Sequence, residues 1–305
     1  MTPIKIGVIG LGKIARDQHL PAIAANPRFE LAATVNRSGA ASATNFTSAA
    51  DLLNSGVDLN AVAITTPPGP RYAIARDCIA AGLDVLLEKP PTASLAEIED
   101  LREQAAARGV SLFTTWHAQH NAAVVKAKDL LKGHRISAMK IVWHEDVEKW
   151  HPGQAWIWQA GGFGVFDPGI NAFSIASKIF PGSLFVRQAA LSFRDGADTP
   201  IAAEIQFESA AASGPLECSL DWRRASGEEW TIHLSTEGGQ SIALFDGGAR
   251  LVVDGEPQAT PGADEYPDIY RRFAELADAR QSEVDIVPLR LVADCLLVGS
   301  RNSVA

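Results

Sequence analysis

Of 305 residues only three are cysteine, two methionine and three tyrosine. Cys78, Cys218 and Cys295 stand far apart, in no metal-ligand or disulfide-framework spacing. That scarcity argues against a zinc knuckle or a stapled secreted scaffold, and a reducing cytoplasm is the expected compartment. No run of about 18 uninterrupted apolar residues occurs, so no membrane span is expected. The opening MTPIKIGVIG enters a strand pattern without a basic region, apolar core and cleavage site, so no secretory leader is expected. Positive charge is short as well: 27 Lys and Arg stand against 36 Asp and Glu, a formal net charge of -9. The only Arg-Arg pairs are Arg223-Arg224 and Arg271-Arg272, which argues against a nucleic-acid surface and for a small soluble partner.

What is present is an ordinary globular composition, 47% hydrophobic and 21% charged, in a chain long enough for two domains. Up to Phe113, short apolar runs (Ile4 to Ile9, Glu30 to Val35, Asn60 to Ile64, Asp84 to Leu87, Val110 to Phe113) alternate with helical patterns. Among these are helices from about Tyr72 to Ala81 and from Leu95 to Arg108, stopped by Gly82 and Gly109. This rhythm predicts an α/β fold: an N-terminal Rossmann domain, a doubly wound parallel sheet, over residues 1–118. Then the rhythm changes. Strands are expected at Ile136 to Val147, Leu184 to Phe193, Ile201 to Phe207, Leu216 to Trp222, Trp230 to Ser235 and Ser241 to Phe245, with glycine turns between some of them. Helices are expected at about Ala122 to Leu131, Ile170 to Ile179, Glu265 to Ala279 and Leu289 to Arg301. Residues 119–305 are therefore expected to form an α+β substrate domain with an open, mainly antiparallel sheet, its last helix placed to pack back on the first domain. A bare face of that sheet would invite a second copy, giving a homo-oligomer.

Gly10-x-Gly12-x-x-Ala15 follows a strand and opens a helix. Gly10 permits the tight turn, Gly12 lets main chain approach a pyrophosphate, and the helix start at Lys13 and Ile14 faces the anion. NAD enzymes usually carry an acid about 20 residues beyond this turn; here Asn36-Arg37-Ser38 stands there. Arg37 can pair with a 2′-phosphate and Ser38 can hydrogen-bond it, so NADP is favoured and NAD tolerated. Thr65, Thr66 and Pro67, at a strand end, are expected to line the nicotinamide side, as are Glu88 and Lys89. Lys89 follows a buried strand with no polar run to account for its charge, which marks it as half of an active site.

The N-terminal GxGxxA turn, the Thr66-Pro67-Pro68 strand end and Glu88-Lys89-Pro90 resemble the glucose-fructose oxidoreductase and inositol dehydrogenase family over nearly the whole chain. The run from Gly161 to Asn171 and the Asn36-Arg37-Ser38 strand end are most similar to its bacterial aldose 1-dehydrogenase subgroup, acting on L-arabinose and D-galactose. The resemblance implies an NAD(P)-dependent oxidoreductase oxidising a pyranose C1 hydroxyl to the aldonolactone. An inositol or diol dehydrogenase and a non-catalytic sugar or dinucleotide sensor are the alternatives. It also implies catalytic roles for Lys89, Asp167 and Asn171, the last standing where many relatives have histidine. Independently, Asp167 and Asn171 share one face if the helix has begun by residue 167.

Three tryptophans crowd the segment from Trp150 to Trp158, next to His151 and Gln154. Aromatic faces stack on sugar C–H groups while His and Gln bind hydroxyls, so Trp150, His151 and Trp158 are substrate candidates, although a satellite core or a subunit contact, taken together, is as good a reading. His117, beyond the last parallel strand, is either a substrate contact or a hydrogen-bonding link between domains. His144-Glu145-Asp146 alternates faces on a strand, and no metal is expected.

Overall fold

Apolar runs bounded by glycine, proline and polar residues form the first sheet. β1 (Ile4–Ile9) leads through a π-helical turn (Ala15–His19) into α1 (Leu20–Ala25), followed by β2 (Phe29–Val35), β3 (Asn45–Phe46) and α2 (Ala49–Asn54). Next come β4 (Ala61–Ile64), α3 (Pro68–Ala80), β5 (Asp84–Leu87), α4 (Leu95–Arg108) and β6 (Leu112–Thr114). The strands lie parallel in the order β3-β2-β1-β4-β5-β6, so the winding reverses between β1 and β4. Every residue of β4 and β5 is buried, as in a parallel sheet covered on both faces. Local sequence sets the helix ends: Ser94 and Glu97 form a reciprocal capping box at the start of α4, and Gly109 closes it with φ 72°.

The computed structural model describes residues 2–38, 44–262 and 265–304. The chain forms two units, Met1–His117 with Asp264–Ile286, and Ala118–Ala263 with Val287–Ala305. The second begins with α5 (Ala122–Leu131), β7 (Ile136–His144), α6 (Val147–Trp150) and α7 (Phe166–Ile179). It continues through β8 (Phe185–Arg194), β9 (Ala202–Glu208), β10 (Leu216–Asp221), β11 (Glu229–Thr236), β12 (Ser241–Phe245), β13 (Arg250–Val253) and β14 (Glu256–Gln258). After α8 (Glu265–Ala279), the unit is completed by α9 (Val287–Val298) and β15 (Ser300–Val304). Its nine strands run β14-β13-β12-β11-β7-β10-β9-β8-β15. Pairing is antiparallel except between β7 and β10 and between β8 and β15. Met139, Leu216, Phe207 and Leu234, aligned across four strands, are buried. Their neighbours on the opposite face, Lys140, Glu217, Gln206 and His233, are exposed, so that part of the open face is polar.

Two expectations need correction. The helix that returns to the first unit is α8, not the last one. Tyr266, Ile269, Tyr270, Phe273 and Ala277 recur at helical spacing on α8 and join Ile6, Ile23, Phe29 and Phe113 in one apolar cluster. The last helix stays with the second unit, against α7 and β8. It also ends at Val298, not at Arg301. A Cβ at Gly299 would lie 2.4 Å from the Cys295 carbonyl oxygen, and beyond this close approach the chain extends as β15 beside β8. Among the described residues, no helix is long and apolar enough to cross a membrane.

Candidate active site

The glycine turn sits at the carboxyl end of β1. Gly10 has φ 99°, its N–H bonds the Val35 carbonyl at 2.9 Å, and a Cβ there would lie 3.0 Å from Thr66 N. Only glycine combines that dihedral with so close a neighbour. Gly12 is the opposite case: a Cβ there would meet nothing within 4 Å, leaving open space above the main chain. Arg16 N–H bonds the Gly12 carbonyl at 3.2 Å, so the helical turn opens immediately after it and presents its first amides. Lys13 is exposed and paired with Asp17, and Ile14 is exposed beside it. Thr65, at the end of β4, donates to the carbonyls of Ile9 and Gly10, locking the two strand ends together. Thr66 Oγ1 is buried with no partner among the described residues, as a ligand-facing hydroxyl would be. Pro67 caps α3.

At the end of β2, Asn36 N–H bonds Phe46 O at 2.9 Å and Asn36 Nδ2 donates to Ser38 Oγ at 3.4 Å. Arg37 and Ser38 are both exposed, with no acid at positions 36–38. The open main chain at Gly12 and the helix start after it fit the pyrophosphate of a dinucleotide.

Glu88 is buried at 3% exposure. Its Oε1 accepts from Tyr266 Oη at 2.7 Å and lies 3.0 Å from His19 Nε2, while Oε2 accepts from the Lys89 amide at 2.8 Å. Burial works against the charged form, but the bond and charge of His19, the charge of His117 and the Tyr266 hydroxyl outweigh it and hold the carboxyl at about 2. The same pocket pushes the Tyr266 and Tyr270 hydroxyls well up, through burial first and then the Glu88 charge. Lys89, half-buried, follows at the end of β5 and is joined to Pro90 by a cis peptide. Arg71 of α3, at 2% exposure, donates to the carbonyls of Thr66, Glu88 and Pro90. His117 is bound within the first unit, through Nδ1 to Glu265 Oε2 at 2.8 Å, its ring stacked 5.9 Å from that of Tyr266.

In the second unit, α7 begins at Phe166, so Asp167 and Asn171 do lie one helical turn apart, with Pro168 in the first turn where it is tolerated. Asp167 is buried, and its Oδ2 lies 3.2 Å from His151 Nε2. Asn171 Oδ1 is buried and has no hydrogen-bond partner among the described residues. An unmet acceptor of this kind costs about 1–3 kcal/mol until something donates to it. The His151 ring meets Trp222 edge-on at 5.3 Å, and Trp158 meets the same Trp222 at 5.5 Å. Trp150 lies elsewhere in the loop: its Nε1 donates to Glu228 at 2.7 Å, its ring tilts on Trp230, and Lys149 sits 4.9 Å above it. Of the tryptophan loop, His151 and Trp158 thus share one aromatic neighbour, whereas Trp150 is held by Glu228 and Trp230.

Sequence reasoning passed over several of these groups. Glu145 is buried, its carboxylate oxygens taking the indole N–H of Trp222 and of Trp230, each at 2.9 Å. His144 turns to Ser219, and Asp146 caps α6, so the three consecutive side chains serve different partners. Arg71, His19 and Tyr266 gave no local signal. An arginine directly after the Pro68-Gly69-Pro70 run and a histidine on an apolar helix face were the only hints. All three thiols are buried, and desolvation pushes each up, Cys78 to about 12, so none is an activated nucleophile.

A doubly wound sheet with a glycine turn at its first strand and a charged cluster at the carboxyl ends of β4 and β5 defines a nicotinamide-type oxidoreductase. The chain belongs to such a family: residues 4–116 match the oxidoreductase family with an NAD-binding Rossmann fold, the family its motifs resemble. Over its entire length it is 42% identical to the galactose 1-dehydrogenase of Pseudomonas fluorescens, covering 98% of that protein. A crystal structure of a D-galactose-1-dehydrogenase protein from Rhizobium etli superposes with a TM-score of 0.94 at 44% identity, covering 100% of this chain and 97% of that one. A 3-ketoreductase from Actinomadura kijaniata, solved with TDP-benzene and NADP, shares the fold at 20% identity and a TM-score of 0.86, with both chains covered in full.

Proposed function

We propose that this enzyme is an NAD(P)-dependent aldose 1-dehydrogenase that oxidises the C1 hydroxyl of a pyranose, D-galactose or L-arabinose, to the aldonolactone. The observation that carries this reading is the 42% identity to a galactose 1-dehydrogenase along the whole chain, sustained through both units. NADP is the favoured cofactor, since Arg37 and Ser38 replace the acid that would repel a 2′-phosphate. Gly10, Gly12, Lys13 and Ile14 hold the pyrophosphate, Asn36, Arg37 and Ser38 the ribose end, and Thr65, Thr66, Pro67, Glu88 and Lys89 the nicotinamide end. When bound, the nicotinamide supplies the hydride acceptor.

Oxidation at C1 also releases the hydroxyl proton. Lys89 hydrogen-bonds that hydroxyl, Asp167 accepts or relays the proton, and Asn171 orients the sugar with the amide whose oxygen has no donor among the described residues. His117, Trp150, His151 and Trp158 complete the substrate contacts, His151 through its bond to Asp167. D-Galactose and L-arabinose share configuration around C1 to C4 of the pyranose, so one pocket serves both and the C5 substituent divides them. Self-association through the exposed face of the second sheet belongs to the same reading; its mixed charges make such a contact weaken with salt.

The deciding experiment follows NADPH absorbance with pentoses, hexoses and inositols. Turnover with D-galactose or L-arabinose is expected. Turnover confined to inositols or diols moves the assignment elsewhere in the family, and a flat trace beside tight NADP binding makes the protein a sensor.

A further inference from the structure

We propose that Arg71 and Glu88 are positioning residues that clamp the main chain on either side of Lys89 and so fix the direction in which its side chain leaves the sheet. The inference rests on the reading of Lys89 as a proton-handling group. Arg71 Nη1 donates to the carbonyls of Glu88 and of Pro90, the residues that flank Lys89, while Nη2 reaches the Thr66 carbonyl at the neighbouring strand end. Glu88 completes the grip by taking the Lys89 amide N–H on Oε2 at 2.8 Å. Both charges are buried, at 2% and 3% exposure. A guanidinium stays protonated in proteins and is costly to bury, so an apolar side chain would be the cheaper filler if packing were the only requirement.

Glu88 is itself held from two remote parts of the chain. Tyr266 of α8 donates to Oε1, and His19 Nε2 lies 3.0 Å from the same oxygen. His19 Nδ1 is 2.8 Å from the Tyr270 hydroxyl. His19 thus bridges the Tyr270 hydroxyl and the Glu88 carboxylate. Four segments thus converge on one residue: the turn before α1, the first turns of α3, the end of β5 and α8. Preorganisation of this sort matters where a reacting group must be held to within a fraction of an ångström.

The test uses the full chain with D-galactose and NADP. Glu88→Gln keeps the shape and removes the charge; its turnover is expected to fall ~30-fold, with sugar KM within ~3-fold of normal. Arg71→Lys, which cannot span the carbonyls as a planar fork, is expected to lose ~10-fold. Tyr266→Phe, the mildest change, is expected to lose ~3-fold or more and keeps the question open to measurement if either other variant fails to fold. In a Lys89→Arg background, adding Glu88→Gln is expected to cost less than ~3-fold further, because both changes disable the same group. Normal turnover in folded Glu88→Gln or Tyr266→Phe overturns the clamp, as do losses that multiply in the Lys89→Arg background. Turnover that survives Lys89→Met removes the role of Lys89, and the clamp with it. Loss on Lys89→Met beside unchanged turnover in Glu88→Gln overturns the clamp alone.

Discussion

Arg37 is exposed just beyond β2, so its replacement leaves the core intact. Arg37→Ala is expected to raise the KM for NADP ~10-fold or more while that for NAD stays within ~2-fold, read from initial rates with each cofactor. Equal effects on the two would remove the NADP preference. Lys89→Ala and Asp167→Ala are each expected to lower turnover ~100-fold or more with the circular dichroism spectrum unchanged. Glu88 is expected to contribute to acid stability. Its carboxyl is held at about 2 against an ordinary 4.5, so the stabilisation it supplies is present above pH 4.5 and lost as pH falls through about 2. The urea midpoint of the natural protein should therefore fall on acidification across that window, and Glu88→Gln should flatten the dependence; an unchanged slope in the variant would count against the buried anion.

Elements differ in how plainly the chain announces them. β4 is an unbroken apolar run and β1 and β5 are mainly apolar, and α4 carries its own Ser94 cap, Glu97 partner and Gly109 stop, so periodicity and local chemistry suffice. β3 is two residues long, and β15 reads SRNSV, almost wholly exposed. Such strands exist because a neighbouring edge offers hydrogen bonds, which no local pattern records. The cluster around Glu88 was hidden for the same reason: Tyr270 and His19 are 251 residues apart, and each alone looks like ordinary core. The Lys89 motif was visible, the groups that surround it were not. Ser94→Ala should cost about 1 kcal/mol in the denaturant midpoint and leave turnover unchanged, since the capping box closes only on α4.

At the scale of the molecule, the first unit is discontinuous in sequence, its apolar cluster shared between residues before 118 and the α8 face of Tyr266, Tyr270 and Phe273. Residues 1–117 expressed alone should therefore lack a cooperative thermal transition, and fusing residues 264–286 to them through a glycine-rich linker should restore one. A sharp melt of the shorter fragment would show α8 to be dispensable.

The same arrangement has a consequence during synthesis. At ~5–20 residues per second, the ribosome needs on the order of ten seconds to deliver the stretch between His117 and α8. Until then Ile6, Ile23 and Phe29 have no cover from α8, and the nascent half-domain exposes apolar surface that the finished fold buries. The Tyr266 bond to Glu88 likewise forms only after most of the message has been read.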